Sequence, residues 1–227
     1  MGTVLGTKLR GDASVVLLDR SLTRFINDYL GWINDAQITA AALKPDISVG
    51  VRNKALVAGV YQTISSDAHA LIRPIRNMGT DGNTPGTRIQ TADYDLFENN
   101  NPDWMSAEPS ATVDVIMVDE RNDGGFFCFP PQPETGQGHI QVVEAIVPPR
   151  LANINQPITI NDIHEPHLFQ YMLFRGYSAT SSPIAKNSAM SAWNMFVTGL
   201  GRKDMVDKVF SPNMARKILQ GEMPNGG

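Results

Sequence analysis

The feature that most constrains this chain is a double change of hydrophobic period: helical spacing gives way to short β-type runs near residue 47 and returns near residue 162. In VVLLDRSLTRFINDYLGWINDAQITAAALKPD, Phe25, Ile26, Tyr29, Ile33, Ala36, Ala40 and Leu43 recur at three- and four-residue steps, marking one face of an amphipathic helix. Asn27 or Asp28 is placed to cap its start and Pro45 to close it, and a shorter helix ending near Leu18 precedes it.

From residue 47 to about 147, ALVAGVYQTIS, ALIRPIRN, TRIQT, TVDVIMV, GFFCF and HIQVVEAIV are rich in β-branched or aromatic residues, with turn clusters between them. TVDVIMVDERNDGGFFCF predicts a hairpin around DERNDGG, and TADYDLFENNNPDW a single helical turn near Tyr94 to Glu98. Helix returns at INDIHEPHLFQYMLFRGYSA, with Leu168, Tyr171, Met172 and Phe174 on its apolar face, Asp162 as expected N-cap and Glu165 as capping-box partner. After TSSP, Pro183 opens a second helix that Gly199 or Gly201 ends, and the short connection predicts an antiparallel pair.

The expected fold is therefore α+β: a helical body, made of a long N-terminal helix plus a C-terminal antiparallel helix pair, with a β-rich insertion and an extended C-terminal tail. In residue terms this is one domain over 1–204, with helices at about 2–45 and 162–201, the β-rich insertion at about 47–160, and a tail at 205–227.

Composition excludes several function classes. The net charge of −4 and the lack of any Lys/Arg run give no bulk attraction to nucleic acid. One cysteine, Cys128, cannot form an intrachain disulfide, which fits a reducing cytoplasm. The first residues lack the apolar core of a signal peptide, and no run of about 18 apolar residues is present to span a membrane.

The stretch NMGTDGNTPGTR resembles a phosphate loop, but its glycines, Gly79, Gly82 and Gly86, miss both nucleotide-binding spacings. It also contains no lysine, so it reads as a surface turn. In HEPH, His164 and His167 stand at i and i+3 with Pro166 between them, where a zinc helix would use i and i+4 and a third ligand. Cys128 sits in FFCFPP without the basic neighbour that activates a thiol, and no G-x-S-x-G is present. The expectation is no enzyme, no cofactor and no metal. Two alternatives stay open: a metal-dependent hydrolase using His164 and His167, and a stand-alone β-rich binding module.

Taken in order, WINDAQITAAALKPD, LVAGVYQTIS, PIRNMGTDG, DLFENNNPDWMS, FFCFPPQP and PITINDIHEPHLFQYMLFRGYS resemble the adaptor, or head-to-tail connector, proteins of tailed bacteriophages. The resemblance covers roughly residues 20–213, including SPN at Ser211 to Asn213. It implies a structural virion protein of the neck, made in the host bacterial cytoplasm. It further implies a homo-oligomeric ring of about twelve copies beneath the portal protein ring, extending a DNA channel through which DNA passes without specific binding. Such a ring would be the platform for nozzle, tail tube or fibre proteins. On this reading Phe210, Met214, Ile218 and Leu219 of the tail are candidate portal contacts. Trp32, Tyr171 and Trp193 are candidate contacts between copies.

Overall fold

The computed structural model describes residues 2–118 and 124–202. The chain divides into two compact units, Pro45–Val147 and the union of Met1–Lys44 with Pro148–Gly227. This overturns the expectation of a helical body bearing a β insertion. The described residues form five α-helices and seven strands, and the strands make two sheets with a core of their own, so the protein is mixed α+β without helical dominance. The physical reason is that HIQVVEAI, with five of its eight residues buried, and VIMV, with its central pair buried, alternate too little to be the wet face of an insertion.

The helical unit contains α1 (Gly6–Val16), α2 (Tyr29–Leu43), α4 (Glu165–Ser178) and α5 (Pro183–Gly199). Leu9 and Ala13 of α1, Tyr29, Ile33 and Ala36 of α2, Leu168 and Met172 of α4 and Phe196 of α5 are fully buried. A Cβ on Gly199 would collide with the His167 ring, which places the end of α5 against the start of α4 and makes the pair antiparallel. Arg202 donates to the carbonyl of Leu43 at 2.7 Å, satisfying an orphan acceptor at the end of α2.

Two local expectations fail here for stated reasons. α2 begins at Tyr29 with Asp28, one of the two expected residues, at its N-cap position. Phe25 and Ile26, expected on its apolar face, lie before it, because buried Asp19 takes the N–H groups of Thr23, Arg24 and Phe25 and the hydroxyl of Tyr29. These bonds organise a loop in which Leu18 and Leu22 adopt positive φ (56° and 53°), so Phe25 and Ile26 precede α2. Asp162 does not cap α4 either. It accepts from the N–H groups of Thr3 and Val4 and the Thr3 hydroxyl, tying down the N-terminal segment, while Asn161 caps the short 3₁₀ turn that leads into the helix.

The β unit contains β1 (Val49–Ala55), β2 (Gly59–Thr63), β3 (Ala68–Asn77), β4 (Gln90–Asp93), α3 (Tyr94–Asn100), β5 (Val115–Val118), β6 (Gly125–Gln132) and β7 (His139–Ile146). One sheet has the order β1-β7-β3, all antiparallel; the other has β2-β6-β5-β4, with β4 parallel to β5. Ile140 and Val142 of β7, Ile116 of β5, and Phe126 and Cys128 of β6 meet Leu56, Ile89 and Val113 in one core shared by both sheets. The expected β5–β6 hairpin is present, although loop residues 119–123 lie outside those described. Edge strand β3 shifts register three times along its pairing with β7 and carries Pro74, as irregular edge strands tolerate.

Candidate functional site

The motifs that carry the family pattern resolve into buried side-chain amides that hold backbone. In WINDAQ, Asn34 bonds both polar groups of Leu151: its Nδ2 donates to the carbonyl at 3.1 Å and its Oδ1 accepts from the N–H at 2.7 Å. One turn on, Gln37 Oε1 accepts from the N–H (2.6 Å) and the hydroxyl (2.9 Å) of Thr159. In VYQT, Gln62 clamps Val57 in both directions at 2.7 Å. In RNMG, Asn77 does the same to Val113, at 2.8 Å for each bond. In FPPQP, Gln132 accepts from Gly138 N–H and donates to the Ser110 carbonyl, both at 2.9 Å. All five are buried, and unpaired peptide groups at such positions would be costly. Sequence reasoning treated these residues only as a pattern; the signal was there in amides placed beside apolar runs.

The other sequence candidates carry no assembled chemistry. NMGTDGNTPGTR is a turn between β3 and β4. The carboxylate of Asp81 accepts from Asn83 N–H, Thr84 N–H and the Thr84 hydroxyl, and these bonds, that of Asn83 first, hold it below the usual carboxylate range. Gly79 and Gly82 take the positive φ the turn requires (65° and 75°). The His164 and His167 rings lie 5.9 Å apart, and burial lowers the pKa of His167. Among the described residues, no group of three or more His, Cys, Asp or Glu side chains is arranged to hold a metal ion. Cys128 is buried against the Gly59 carbonyl, and burial pushes its thiol up to about 11.

What remains is surface. Trp32 and Tyr171 are each 6% exposed and pack inside the protomer, so they offer little area to a neighbour. Trp193 is half-buried, its ring 5.2 Å from that of Phe174, with Met190 and Met195 exposed on the same helix. Phe210, Met214, Ile218 and Leu219 lie outside the described residues. The most exposed large apolar side chains of the helical unit are Leu18 (87%) and Ile184 (79%), and both line a groove of about 310 Å³ between the α1–α2 loop and the α4–α5 turn. In the β unit, sequence reasoning missed Arg73, Arg76 and Arg88. The turn brings Arg88 back opposite Arg76 across an isolated antiparallel bridge. The clue was a turn segment, RNMGTDGNTPGTR, that begins and ends with arginine.

No helix among the described residues is long and apolar enough to cross a membrane. A family model described as SU10 adaptor protein matches residues 7–216, which take in both compact units. No curated protein matches the chain. The chain belongs to the SU10 adaptor family, a family of phage adaptor proteins.

Proposed function

We propose that this adaptor forms a ring of about twelve copies beneath the portal in the virion neck, extends the DNA channel, and gives nozzle or tail proteins their docking platform. The observation that carries the reading is the family match over 7–216, which runs through the helical unit, the β unit and the start of the tail. Two features of the protomer support it. The motif residues are engaged in holding backbone, which suits a structural part. Leu18 combines a strained backbone with an exposed apolar side chain, two unfavourable features that a partner surface can offset.

In this reading residues 1–204 act as one adaptor body, and the segment 205–227, with Phe210, Met214, Ile218 and Leu219, reaches the portal. DNA slides past an acidic chain (net charge −4) that does not grip it. The test is native mass spectrometry of the purified chain alone and mixed with the portal ring of the same phage. Addition of 24.8 kDa subunits in a fixed ring stoichiometry is the expected result. Absence of association at every ratio would remove the portal and ring parts of the reading.

A further inference from the structure

Arg73 and Arg76 lie on edge strand β3, and Arg88 stands two residues before edge strand β4. Arg76 and Arg88 are partners in an antiparallel bridge, a placement in which side chains stand within about 5 Å and like charges are destabilising. All three are exposed, and they line two adjoining grooves of about 420 and 590 Å³. No ion pair among the described residues joins any of them to a carboxylate. The one acid between residues 68 and 92, Asp81, is taken up by its own turn. The isolated protomer therefore holds three arginines that no carboxylate among the described residues pairs, although Asp114 stands beside Gln90 in the parallel β4–β5 register.

The opposite charge lies at the other end of the same strand. From residue 89 to 118 the chain has six acids and no Lys or Arg, and five of them, Asp93 to Glu108, stand at or beyond the end of β4. Asp93 ends β4, so the acidic segment begins about 16 Å from Arg88 at the rise of an extended strand. Glu98 belongs to α3, and Asp103 and Glu108 flank the 3₁₀ turn at Trp104–Ser106. Leu96 and Met105 in this segment are exposed apolar side chains.

Resting on the ring reading above, we infer that copies of this chain meet head to tail through the β unit, the Arg73, Arg76 and Arg88 patch of one copy receiving the Glu98, Asp103 and Glu108 segment of the next. Two different surfaces at opposite ends of one strand make a heterologous contact, the kind that closes as a ring. DNA fits the patch less well. The chain is acidic overall (net charge −4), and exposed Leu96 and Met105 gain burial only against protein.

The test is charge-swap complementation in the full-length chain, without portal, so that it reads the contact independently of the ring on the portal. One variant carries Arg73→Glu, Arg76→Glu and Arg88→Glu; the other carries Glu98→Lys, Asp103→Lys and Glu108→Lys. Sedimentation velocity at low ionic strength is expected to show each variant alone as monomer, and the equimolar mixture associating at least about tenfold more tightly than either. Moderate salt should weaken the mixture's association. A mixture that associates no more tightly than its components overturns the proposal. So does an arginine variant whose only change is lost binding to a short labelled DNA duplex, which would assign the patch to nucleic acid. A milder variant, Arg88→Gln, guards against misfolding: it is expected to melt higher than wild type, because it relieves the Arg76–Arg88 repulsion, while self-associating more weakly than the wild-type chain, whose acidic segment is intact. A lower melting temperature would count against an uncompensated patch.

Discussion

Asn34→Leu tests whether the amide clamps, rather than apolar packing alone, hold the helical unit together. The substitution keeps roughly the side-chain volume but leaves the N–H and C=O of Leu151 without partners in a site where Leu151 is 5% exposed. Each orphaned group costs about 1–3 kcal/mol. Against this, leucine gains about 0.5 kcal/mol of helix propensity and up to about 2 kcal/mol of apolar transfer. With two groups orphaned, the net loss lies between near zero and about 5 kcal/mol, or up to roughly 20 °C in melting temperature for a chain of this size. The assay is thermal unfolding followed by the helical far-ultraviolet circular dichroism signal. Asn34→Asp sharpens it. Ionised, the aspartate turns an acceptor towards the Leu151 carbonyl; protonated, it reproduces the donor–acceptor pair. Its folded-state pKa is thereby raised above the unfolded value of about 3.9, so the folded state binds the extra proton. The deficit of this variant relative to wild type should therefore be full at neutral pH and shrink as pH falls through the raised folded pKa. An Asn34→Leu protein that melts within about 1 °C of wild type, with no acid recovery in Asn34→Asp, would refute the clamp.

Four further outcomes are expected. Asp19 is held below its ordinary pKa, first by the N–H of Arg24, so its contribution to stability is present above about pH 3.9 and lost as pH falls through the lower folded value; Asp19→Asn should flatten that acid limb in melts taken across pH. Cys128, with its thiol pushed up to about 11, should resist iodoacetamide in the native protein and react once denatured, as intact-mass spectrometry would show. Gly138→Ala drives a Cβ into the Ala111 carbonyl oxygen and should destabilise the β unit by about 1–3 kcal/mol in urea titration. Deleting residues 205–227 should abolish portal binding and leave the melting transition in place, and pull-down on portal rings checks it.

How much of this was legible in the sequence depends on which physical signal each part emits. The C-terminal helix pair was readable because Leu168, Tyr171 and Met172 repeat at helical spacing in α4 and Pro183 sits where a helix can begin. The start of α2 was readable in Asp28, which stands at its N-cap. The place of Phe25 and Ile26 was not, because they keep helical spacing while Asp19, six and seven residues earlier, holds them in the loop before the helix. The standing of the β unit was underrated for a similar reason. Short strands look like an insertion one at a time, and only their shared core, with Val113 and Ile140 fully buried, makes them a unit. The arginine patch was invisible to a search for basic runs, since Arg76 and Arg88 are twelve positions apart and meet only across the turn.

The choice between amide and carboxylate at most of the polar clamps follows a simple rule, from which Gln37 departs: it receives only the N–H and hydroxyl of Thr159, and its Nε2 is buried without a partner among the described residues. Buried Asp19 and half-buried Asp162 receive donors only, N–H groups and hydroxyls, and an acceptor-only carboxylate serves them. Glu144, fully buried, likewise accepts the N–H of Ser65. Asn34, Gln62 and Asn77 must serve the N–H and the C=O of one residue together, which a carboxamide does at every pH without a buried charge and an ionised carboxylate cannot. The interior clamps of the protomer are thus largely neutral and indifferent to ionic strength, whereas the proposed contact between copies is made of exposed charges and is screened by salt. Moderate salt should accordingly dissociate copies well before it lowers the melting temperature of the protomer. If both fell together, the division between a neutral fold and a charged assembly contact would be wrong.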